Sequence, residues 1–458
     1  MAKQPTQIAA VILAAGKGTR MKSALPKVMH PVAGLPMVGH VVQRALEVGA
    51  APIAMVVAQG MEKVVDLARD IAGDVDVAIQ KEQHGTAHAV LAAKPVLGEL
   101  EGVLLVLYGD TPLLTTETLT AVIDALGADD KCAVAVLGFL PDEPGAYGRL
   151  VLNDDGTLEK IVEAKDATED ELAIELCNSG VMAIRGDLAW KLLAQVKNDN
   201  AKKEFYLTDI VALARAQGYI ALAVEGDADE VLGVNARGEL AMAEAIFQFR
   251  ARKQFMDAGV TLIDPDSVFF AADTKIENDV VIEPSVFFGP GVSIAKGARI
   301  KAFSHIEGTS IGANTTVGPF ARLRPGTQLG SDVRIGNFVE LKAADVANGA
   351  KISHLSYVGD ASVGSEANIG AGTITCNYDG YLKYKTTIGK GVFVGSNSAL
   401  IAPVTIGDGA IIAAGSVITE DVAADSLAIA RGTQIEKKNA AKEFRAKKSA
   451  EKLAKKKA

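Results

Sequence analysis

The chain has 458 residues, of which 49% are hydrophobic and 22% charged, and its formal net charge at pH 7 is −9. This length predicts two or three domains, and the composition allows a large buried core. The negative charge excludes the strongly basic protein classes and argues against nucleic acid as a partner.

The cysteines and the N-terminal segment bear on the compartment in which the chain works. Cys132, Cys177 and Cys376 are scattered and odd in number, so they predict neither a disulfide framework nor a zinc site. The N-terminus lacks the basic segment and the long apolar core of a signal peptide. Its apolar run, 8–15, is too short to span a membrane. We therefore expect a cytoplasmic protein without a membrane span.

Short apolar runs alternate with amphipathic stretches over residues 1–232. This alternation predicts an α/β domain of Rossmann-like form, with a mainly parallel sheet covered by helices. Ligands of such sheets bind beyond the carboxyl ends of the strands. The predicted strands are 8–13, 53–57, 103–108 and 133–137, and the predicted helices include 37–48 and 116–126.

A glycine-rich turn follows the first predicted strand, in the sequence AAGKGTRM. Gly16 and Gly18 free the backbone to approach a ligand, and the N–H groups of such a turn can hold phosphate. Lys17, Arg20 and Lys27 add positive charge for a polyphosphate. The turn matches neither a Walker A loop nor a Rossmann fingerprint, so a plain tight turn remains the alternative to a phosphate site.

Asp110 lies at the end of another predicted strand, in LLVLYGDTPLL. A carboxylate at that place reaches the ligand crevice, and Mg²⁺ favours one or two carboxylates together with phosphate oxygens. The side chain could instead cap the turn before Thr111 and Pro112. Asp110 is therefore a candidate magnesium ligand whose alternative role is structural.

Together, LAAGKGTRM-x₄-PK and YGD resemble the sugar-phosphate nucleotidyltransferase family. That resemblance implies attack by a sugar phosphate on the α-phosphorus of a nucleoside triphosphate, with release of pyrophosphate. The segments QKEQHGTAHA, AYGRL, IVEAKDA, LCNSG, EFYLTD and GVN narrow it to the uridylyltransferase half of bacterial bifunctional UDP-N-acetylglucosamine synthases. Lys203 departs from the family pattern, which often has glycine there, and this departure concerns the conformation of its loop.

The resemblance implies UTP and N-acetylglucosamine 1-phosphate as substrates and Mg²⁺ as the metal. It places the uridine nucleotide against Leu13, Ala14, Ala15, Gly16, Lys27, Gln80, Gly85 and Thr86. It places the sugar against Tyr108, Gly109, Asp110, Gly148, Glu163, Asn178 and Asn235, and it assigns Mg²⁺ to Asp110 and Asn235.

A second pattern begins after a predicted connecting helix in the linker 233–258. The predicted second domain covers residues 259–434. From Ile276 to Ile418 an aliphatic or aromatic residue recurs every six positions, apart from one-residue slips and one insertion, as in the run 294, 300 and 306. This period predicts a solenoid with three flat faces, although it does not give the handedness. Chance spacing in an ordinary β-domain is the alternative. Between Ile369 and Ile388 a polar, aromatic segment that includes CNYDGYLKYK interrupts the repeat, and we interpret it as a functional loop.

The solenoid with its inserted loop resembles acyltransferases that use acetyl-CoA. GPFARLRPG, GNFVELK, SHLSYVGD, NIGAGTITCNYDG and FVGSNS resemble the acetyltransferase half of the same synthases, whose fold is a left-handed parallel β-helix. The resemblance implies glucosamine 1-phosphate as acceptor, acetyl-CoA as donor, and a homotrimer with active sites between subunits. It assigns the acceptor to Arg324, Lys342, Tyr357 and Asn368, and acetyl-CoA to Ala371, Asn377, Tyr378, Ser396, Ala414 and Arg431.

His354 is the candidate general base of the acetyl transfer. The amine of the acceptor is protonated at neutral pH, and an imidazole, which titrates near about pH 6.5, suits removal of that proton. Taken alone, the residue is better interpreted as a capped corner of the solenoid, and it is the full set of motifs that favours catalysis.

The lysine-rich tail 435–458 is expected to be solvated or weakly helical, with an anionic partner as the alternative.

A nucleotidyltransferase whose β-helix only assembles or regulates is one rival function, and Arg324, Lys342 and His354 argue against it. A scaffold with a vestigial nucleotide fold is another, and the glycine-rich turn and Asp110 argue against that.

Overall fold

In the computed structural model, residues 7–16 and 18–457 are described, and they form two compact units. The first unit extends to Asp257 and also includes Phe269–Thr274. The second unit comprises Ala258–Val268 and the chain from Lys275 onward. The domain limits 232, 258 and 434 drawn from the sequence stay predictions. Lys17, one of the candidate phosphate-binding cations, lies outside the described residues.

The first unit is an α/β structure around a mixed sheet. Its strands are β1 (Ile8–Leu13), β2 (Pro31–Val32), β3 (Leu35–Pro36), β4 (Ile53–Val57), β5 (Asp76–Ile79), β6 (Val103–Tyr108), β7 (Cys132–Phe139), β8 (Arg149–Leu152), β9 (Leu158–Val162), β10 (Cys177–Arg185) and β11 (Ile220–Gly226). Its helices are α1 (Met37–Glu47), α2 (Glu62–Ala72), α3 (Thr86–Leu91), α4 (Lys94–Leu97), α5 (Thr116–Gly127), α6 (Glu169–Leu172), α7 (Gly186–Leu193), α8 (Asp209–Ala216) and α9 (Arg237–Asp257).

The main sheet has the strand order β11-β7-β10-β6-β1-β4-β5, with β8 paired to β10 and β9 paired to β8. The strands β6, β1, β4 and β5 run parallel, whereas β10 is antiparallel to both of its neighbours in that order. β4 (IAMVV) and β7 (CAVAVLGF) are buried along their whole length, as expected for strands covered on both faces. The strands predicted at 8–13, 53–57 and 103–108 are confirmed as β1, β4 and β6.

The second unit consists of very short strands and one terminal helix. The strands are β12 (Thr261–Leu262), β13 (Lys275–Ile276), β14 (Val281–Ile282), β15 (Phe287–Phe288), β16 (Ser293–Ile294), β17 (Arg299–Ile300), β18 (His305–Ile306), β19 (Thr309–Ile311), β20 (Thr316–Val317), β21 (Arg322–Leu323), β22 (Thr327–Leu329), β23 (Arg334–Asn337), β24 (Glu340–Val346), β25 (Lys351–His354), β26 (Tyr357–Val363), β27 (Asn368–Ile369), β28 (Ile374–Cys376), β29 (Thr386–Ile388), β30 (Phe393–Val394), β31 (Ala399–Ile401), β32 (Val404–Ile406), β33 (Ile411–Ile412), β34 (Val417–Ile418) and β35 (Leu427–Ala428), and the helix is α10 (Ala440–Lys457).

Each short strand pairs in parallel with its equivalent in the next coil, so the strands form three stacks. In one stack β14, β17, β20, β23, β25 and β27 are consecutive neighbours. In another, Leu323 pairs with Leu341, which in turn pairs with Val358, and these three side chains are completely buried. One inward apolar residue per face fills the narrow core of each coil, and this confirms the solenoid predicted from the period of six.

Successive coils pack backbone against backbone at several glycines. A Cβ at Gly312 would lie 2.4 Å from the carbonyl carbon of Gly330, and one at Gly336 would lie 1.9 Å from the carbonyl oxygen of Ser353. No side chain fits at either position, because the obstructing atoms belong to the backbone of the next coil. These corners therefore depend on glycine.

The segment that interrupts the repeat leaves the stack after β28 and returns at β29. Asp379 closes this loop, since its Oδ1 accepts hydrogen bonds from the backbone N–H groups of Tyr381 and Leu382 at 2.8 and 2.7 Å. The hydroxyl of Tyr384 donates to the other carboxylate oxygen at 3.0 Å. These bonds hold the pKa of Asp379 below its usual range, the contact with Leu382 contributing most.

The lysine-rich tail forms α10, so the helix considered for it in the sequence is present. Most of its described side chains are exposed, including Phe444 and Leu453. Across residues 7–16 and 18–457, no helix combines the length and the apolar character needed to cross a membrane.

Candidate active sites

A cavity of about 350 Å³ opens in the first unit where β1 and β6 end. It lies at the carboxyl edge of parallel strands, which is the place expected for a ligand in this type of sheet. The structure brings together there every residue that the resemblance assigned to the nucleotide. The lining comprises Leu13, Ala14, Ala15, Gly16, Lys27, Val28, Val56, Gln80, Gln83, Gly85, Thr86, Ala89, Tyr108, Asp110 and Glu204.

The glycine-rich turn packs directly against Lys27. Gly18 has a φ of 59°, and a Cβ there would lie 2.5 Å from the Cβ of Lys27. Glycine at this position therefore lets the turn fold back over the stem of the lysine. Arg20, another candidate phosphate-binding cation, is exposed.

Lys27 Nζ joins the two candidate metal ligands. It pairs with Asp110 Oδ2 and donates a hydrogen bond of 2.9 Å to Asn235 Oδ1. The two oxygens thus contact the same ammonium nitrogen, and both are of the hard oxygen type that Mg²⁺ prefers as ligands. The donor set fits a magnesium ion that also takes phosphate oxygens. Among the described residues no cluster of three or more histidine, cysteine or acidic side chains offers a metal site of its own.

On the opposite wall of the cavity, the backbone at Gly85 packs directly against the backbone of Phe205. Gly85 has a φ of 120°, and a Cβ there would lie 2.5 Å from the carbonyl oxygen of Phe205. Gln80 Nε2 donates to the carbonyl oxygen of Gly85 at 3.4 Å, and Thr86 Oγ1 accepts from the N–H of Leu207 at 3.0 Å. These contacts join the chain after β5 to a segment far away in sequence.

Gln83 was not predicted as a site residue, although it lies in the motif QKEQHGTAHA. Its Nε2 donates a hydrogen bond of 2.6 Å to the carbonyl oxygen of Ala15, in the glycine-rich turn. The side chain thus ties the two walls of the cavity together. A residue that binds the protein's own turn carries no sequence signal beyond its place in the motif.

The residues assigned to the sugar extend from Tyr108. A Cβ at Gly180 would lie 2.6 Å from the Tyr108 ring, so glycine allows the ring to pack there. Burial raises the pKa of the Tyr108 hydroxyl, and the charges of Asp110 and Glu163 raise it further. Burial likewise raises the pKa of Glu163. Tyr108 and Glu163 therefore both lie in a partly desolvated region.

The other assigned sugar residues are linked through the backbone. The N–H of Gly109 donates to the carbonyl oxygen of Leu13 at 2.9 Å, and the N–H of Asn178 donates to the carbonyl oxygen of Gly148 at 2.8 Å. Within β10, Asn178 Oδ1 also accepts a hydrogen bond from the N–H of Gly180 at 3.0 Å. The structure therefore connects Gly148 and Asn178 with the Tyr108 ring through Gly180.

In the second unit, cationic side chains gather beside the inserted loop. Arg324 Nη1 donates to Glu340 Oε1 at 3.0 Å. Contact with the ammonium of Lys383 lowers the pKa of Lys342, and Arg324 contributes to the same lowering. Like charges held this close are typical of a site that binds an anion. Lys383 was not predicted, because it lies in the loop, where the repeat gives no positional signal.

His354 is exposed at the end of β25, one coil above Asn337 at the end of β23. Its Nδ1 lies 2.7 Å from Asn337 Oδ1. Among the described residues, no hydrogen bond joins His354 to Arg324 or Lys342. The neighbouring strands bring Tyr357 opposite Glu340, while Asn368 lies opposite Lys351.

Four of the residues assigned to acetyl-CoA lie on one edge of the coils. The carbonyl of Ala371 accepts from the N–H of Asn397, and the carbonyl of Ser396 accepts from the N–H of Gly415, each at 2.8 Å. Arg431 extends this edge by donating from Nη1 to the carbonyl of Ala414. In the loop, Asn377 Nδ2 donates to Asp360, whereas Tyr378 is exposed and donates to the carbonyl of Gly380.

The fold and these two sites define a nucleotidyltransferase joined to a hexapeptide-repeat transferase. The sequence model for the MobA-like NTP transferase domain matches residues 10–171. The model for the bacterial transferase hexapeptide (six repeats) matches residues 308–343 and 385–420. The predicted fold class is thereby confirmed, with a left-handed parallel β-helix as the second unit.

Relatives of the same length identify the family. The chain is 54% identical over 450 residues to the "Bifunctional protein GlmU" of Paramagnetospirillum magneticum, an alignment that covers 98% of this chain and 99% of the relative. It is 56% identical over 441 residues to the protein of that name from Rhodospirillum rubrum, covering 96% and 98%. For Maricaulis maris the identity is 58% over 446 residues, covering 97% and 98%. The chain belongs to the GlmU family, which confirms the resemblance drawn from its motifs.

Proposed function

We propose that this chain makes UDP-N-acetylglucosamine through two reactions, an acetyl transfer in the second unit and a uridylyl transfer in the first. The observation that carries the proposal is the convergence of distant motif residues, such as Leu13, Gln80, Gly85 and Asp110, on one cavity. The gathering of Arg324, Lys342 and Lys383 at the inserted loop supports the acetyl transfer in the same way.

In the uridylyl transfer, the phosphate of N-acetylglucosamine 1-phosphate attacks the α-phosphorus of UTP. A P–O bond forms there, and the bond to pyrophosphate breaks, so no covalent intermediate with the enzyme is required. The protein contributes positioning and charge neutralisation. Lys27 supplies the positive charge beside the phosphates, Gly16 lets the backbone approach them, and Tyr108 and Glu163 bound the sugar.

Asp110 and Asn235 are the residues that would hold Mg²⁺, which when bound supplies positive charge to the phosphate oxygens. The support is the convergence of their side-chain oxygens on Lys27 Nζ. Besides supplying charge to the phosphates, Lys27 holds these two oxygens next to each other at the cavity.

In the acetyl transfer, His354 Nε2 takes a proton from the amine of glucosamine 1-phosphate. The neutral amine nitrogen then forms a bond to the carbonyl carbon of acetyl-CoA. As the C–S bond breaks, the nitrogen gives up its second proton to the departing sulfur, so the product is an amide and CoA leaves as a thiol. Arg324 and Lys342, with Lys383, hold the phosphate of the acceptor. The edge formed by Ala371, Ser396, Ala414 and Arg431, together with Asn377 and Tyr378 of the loop, receives acetyl-CoA, and Tyr357 and Asn368 complete the sugar site.

The proposal places the protein in the cytoplasm and makes it a homotrimer. Assembly is supported by a ladder of exposed aromatic rings on successive coils. Phe303 stacks on Phe320 and Phe320 on Phe338, with ring centroids 4.9 and 5.2 Å apart. About half of each side chain is exposed, so the ladder is a contiguous apolar surface of the kind that subunits cover. Sedimentation of Phe320→Ser against the unaltered protein tests this assembly, and an unchanged mass would remove the support.

The experiment that tests the activities is an assay of both half-reactions on the purified chain. Acetyl-CoA with glucosamine 1-phosphate is expected to release CoA thiol, and UTP with Mg²⁺ and N-acetylglucosamine 1-phosphate is expected to release pyrophosphate. His354→Ala is expected to abolish the first reaction and spare the second. Native acetyl transfer in this variant would contradict the role of His354, and absent pyrophosphate release would contradict the uridylyl half.

A further inference from the structure

We infer that Asn337 is a positioning residue for acetyl transfer, one that selects the tautomer and the orientation of the His354 imidazole. This inference rests on the proposed function of His354 as the general base. It assigns a role to a residue that touches neither the acceptor nor acetyl-CoA in the scheme above.

The first observation is the hydrogen bond between the two side chains. The amide oxygen of Asn337 lies 2.7 Å from Nδ1 of His354. An amide oxygen can only accept, so the proton of the neutral imidazole lies on Nδ1 and the lone pair lies on Nε2. Nε2 is then the atom that takes the proton of the amine, and the opposite tautomer would present an N–H that cannot act as a base.

The second observation is that the coil geometry fixes this contact. β23 and β25 pair in parallel, with Arg334 opposite Lys351, Ile335 opposite Ile352, and Asn337 opposite His354. Ile335 and Ile352 are buried in the core, so the register of the two strands cannot slip without exposing them. The core of the β-helix thus fixes the backbone of Asn337 directly beneath that of His354.

The backbone on either side of the pair is fixed as well. The N–H of Leu355 donates to the carbonyl of Asn337 at 3.0 Å, and the N–H of Gly372 donates to the carbonyl of His354. The imidazole itself is exposed, so packing leaves it free to rotate. The bond to Asn337 is therefore the described contact that restricts the ring.

The charged groups on the strands that flank His354 bear on any pH test. Arg334 on β23 and Lys351 on β25 lie opposite one another, three residues before the pair. β27, the other neighbour of β25, comprises Asn368 and Ile369 and carries no charge. Both flanking charges are positive and are shared by all variants below, so they cannot account for a difference between variants.

The test compares three variants of the full chain in acetyl transfer. Asn337→Ala is expected to lower kcat by about tenfold with little change in the KM for glucosamine 1-phosphate, because the base is misoriented while the anion site is intact. Asn337→Asp keeps the acceptor oxygen but adds a negative charge that favours the imidazolium. Its rate is expected to approach that of the unaltered protein at high pH, with the acid limb of the pH–rate profile displaced to higher pH.

The matched control is Asn348→Ala. Asn348 Oδ1 accepts a hydrogen bond of 2.9 Å from the N–H of Ser331 on the same β-helix, so its loss tests a purely structural asparagine. We expect this variant to keep the pH profile. ¹⁵N NMR of histidine-labelled protein gives a readout that needs no activity: a protonated Nδ1 is expected in the unaltered chain and a mixture of tautomers in Asn337→Ala.

The outcomes separate this inference from the function on which it rests. If His354→Ala keeps native acetyl transfer, the base assignment fails and the role of Asn337 falls with it. If His354→Ala is inactive but both Asn337 variants show the native kcat and the native pH profile, the inference about Asn337 is wrong and the base assignment stands. A protonated Nε2 in the NMR spectrum of the unaltered chain would also overturn it.

Discussion

Lys27 and Asn235 are separated by 208 positions in the chain, and yet Nζ of the lysine donates a hydrogen bond of 2.9 Å to the amide oxygen of the asparagine. Both side chains also converge with Asp110, whose carboxylate pairs with the same ammonium. The ammonium of Lys27 thereby joins three segments of the chain: the one after the glycine-rich turn, the one after β6 and the one before α9. Substitutions at this point are expected to affect one reaction and spare the other.

Asp110→Asn tests that expectation. The amide keeps the size of the side chain but removes the negative charge that holds Lys27 and suits a metal, so uridylyl transfer should fall by about 100-fold or more. Pyrophosphate release measures this reaction, and CoA thiol release on the same preparation should stay native. Asp124→Asn, at an exposed position of α5, is the control. Native pyrophosphate release in Asp110→Asn would contradict the assignment, and native CoA thiol release shows that the variant is folded.

Gly85→Ala is expected to damage the nucleotide cavity through the backbone. The added Cβ would collide with the carbonyl oxygen of Phe205 at 2.5 Å, and a φ of 120° is strained for alanine. We expect a cost of about 1–3 kcal/mol in the stability of the first unit and an increase of about tenfold in the KM for UTP. The free energy of unfolding can be followed by the fluorescence of Trp190, the single tryptophan, which lies in the first unit.

Gly127→Ala is the matched control for that variant. A Cβ at Gly127 meets nothing within 4 Å, and its φ is not in the left-handed region, so alanine should leave the KM for UTP unchanged and stabilise by about 0.4–1 kcal/mol. If Gly85→Ala were as stable as Gly127→Ala, the apposition of Gly85 and Phe205 would not be a constraint on the cavity.

Lys383→Met is expected to alter both the affinity and the pH dependence of acetyl transfer. Loss of one cation should raise the KM for glucosamine 1-phosphate by about tenfold, because a charge-assisted contact with phosphate is lost. The neighbouring ammonium of Lys383 holds the pKa of Lys342 below its ordinary value, so removing that ammonium raises the pKa. The alkaline pH at which the KM begins to rise should therefore move upward, as measured by the pH dependence of the KM.

Lys390→Met is the comparison for Lys383→Met, since Lys390 is a lysine of the same β-helix outside the inserted loop. It should change neither the KM nor its pH dependence. An unaltered KM in Lys383→Met would show that Lys342 and Arg324 hold the phosphate without the loop.

The period of six predicted the β-helix because each face must bury one apolar residue, and that requirement is visible in the sequence. The same regularity brings Asn337 under His354 in the next coil, but only the paired strands show that the two side chains bond. The inserted loop has no period, so the position of Lys383 beside Lys342 could not be predicted. The contact of Gly85 with Phe205 was equally hidden, because a backbone collision between distant segments leaves no mark on composition or spacing.

Glu163 offers a test in which stability and activity should move in opposite directions. Burial raises its pKa in the folded chain above the value in the unfolded chain. A carboxyl group with a raised pKa binds its proton more tightly when folded, so it costs stability as the pH rises through the unfolded and then the folded pKa. Glu163→Gln removes this cost. The variant should therefore be more resistant to urea than the unaltered protein at about pH 8, and this difference should shrink toward about pH 4.

Trp190 fluorescence measures the unfolding of the first unit in that experiment, and pyrophosphate release measures its activity. If Glu163 bounds the sugar as proposed, the more stable variant should have a higher KM for N-acetylglucosamine 1-phosphate and an unchanged KM for UTP. Such a combination is typical of a polar group that is buried for function and not for stability. Glu159→Gln is the control, because Glu159 lies exposed on β9, four residues before Glu163, and its loss should change neither quantity. A loss of stability in Glu163→Gln at about pH 8 would mean that the carboxylate is favourably paired in the fold, which would contradict burial as the cause of its raised pKa.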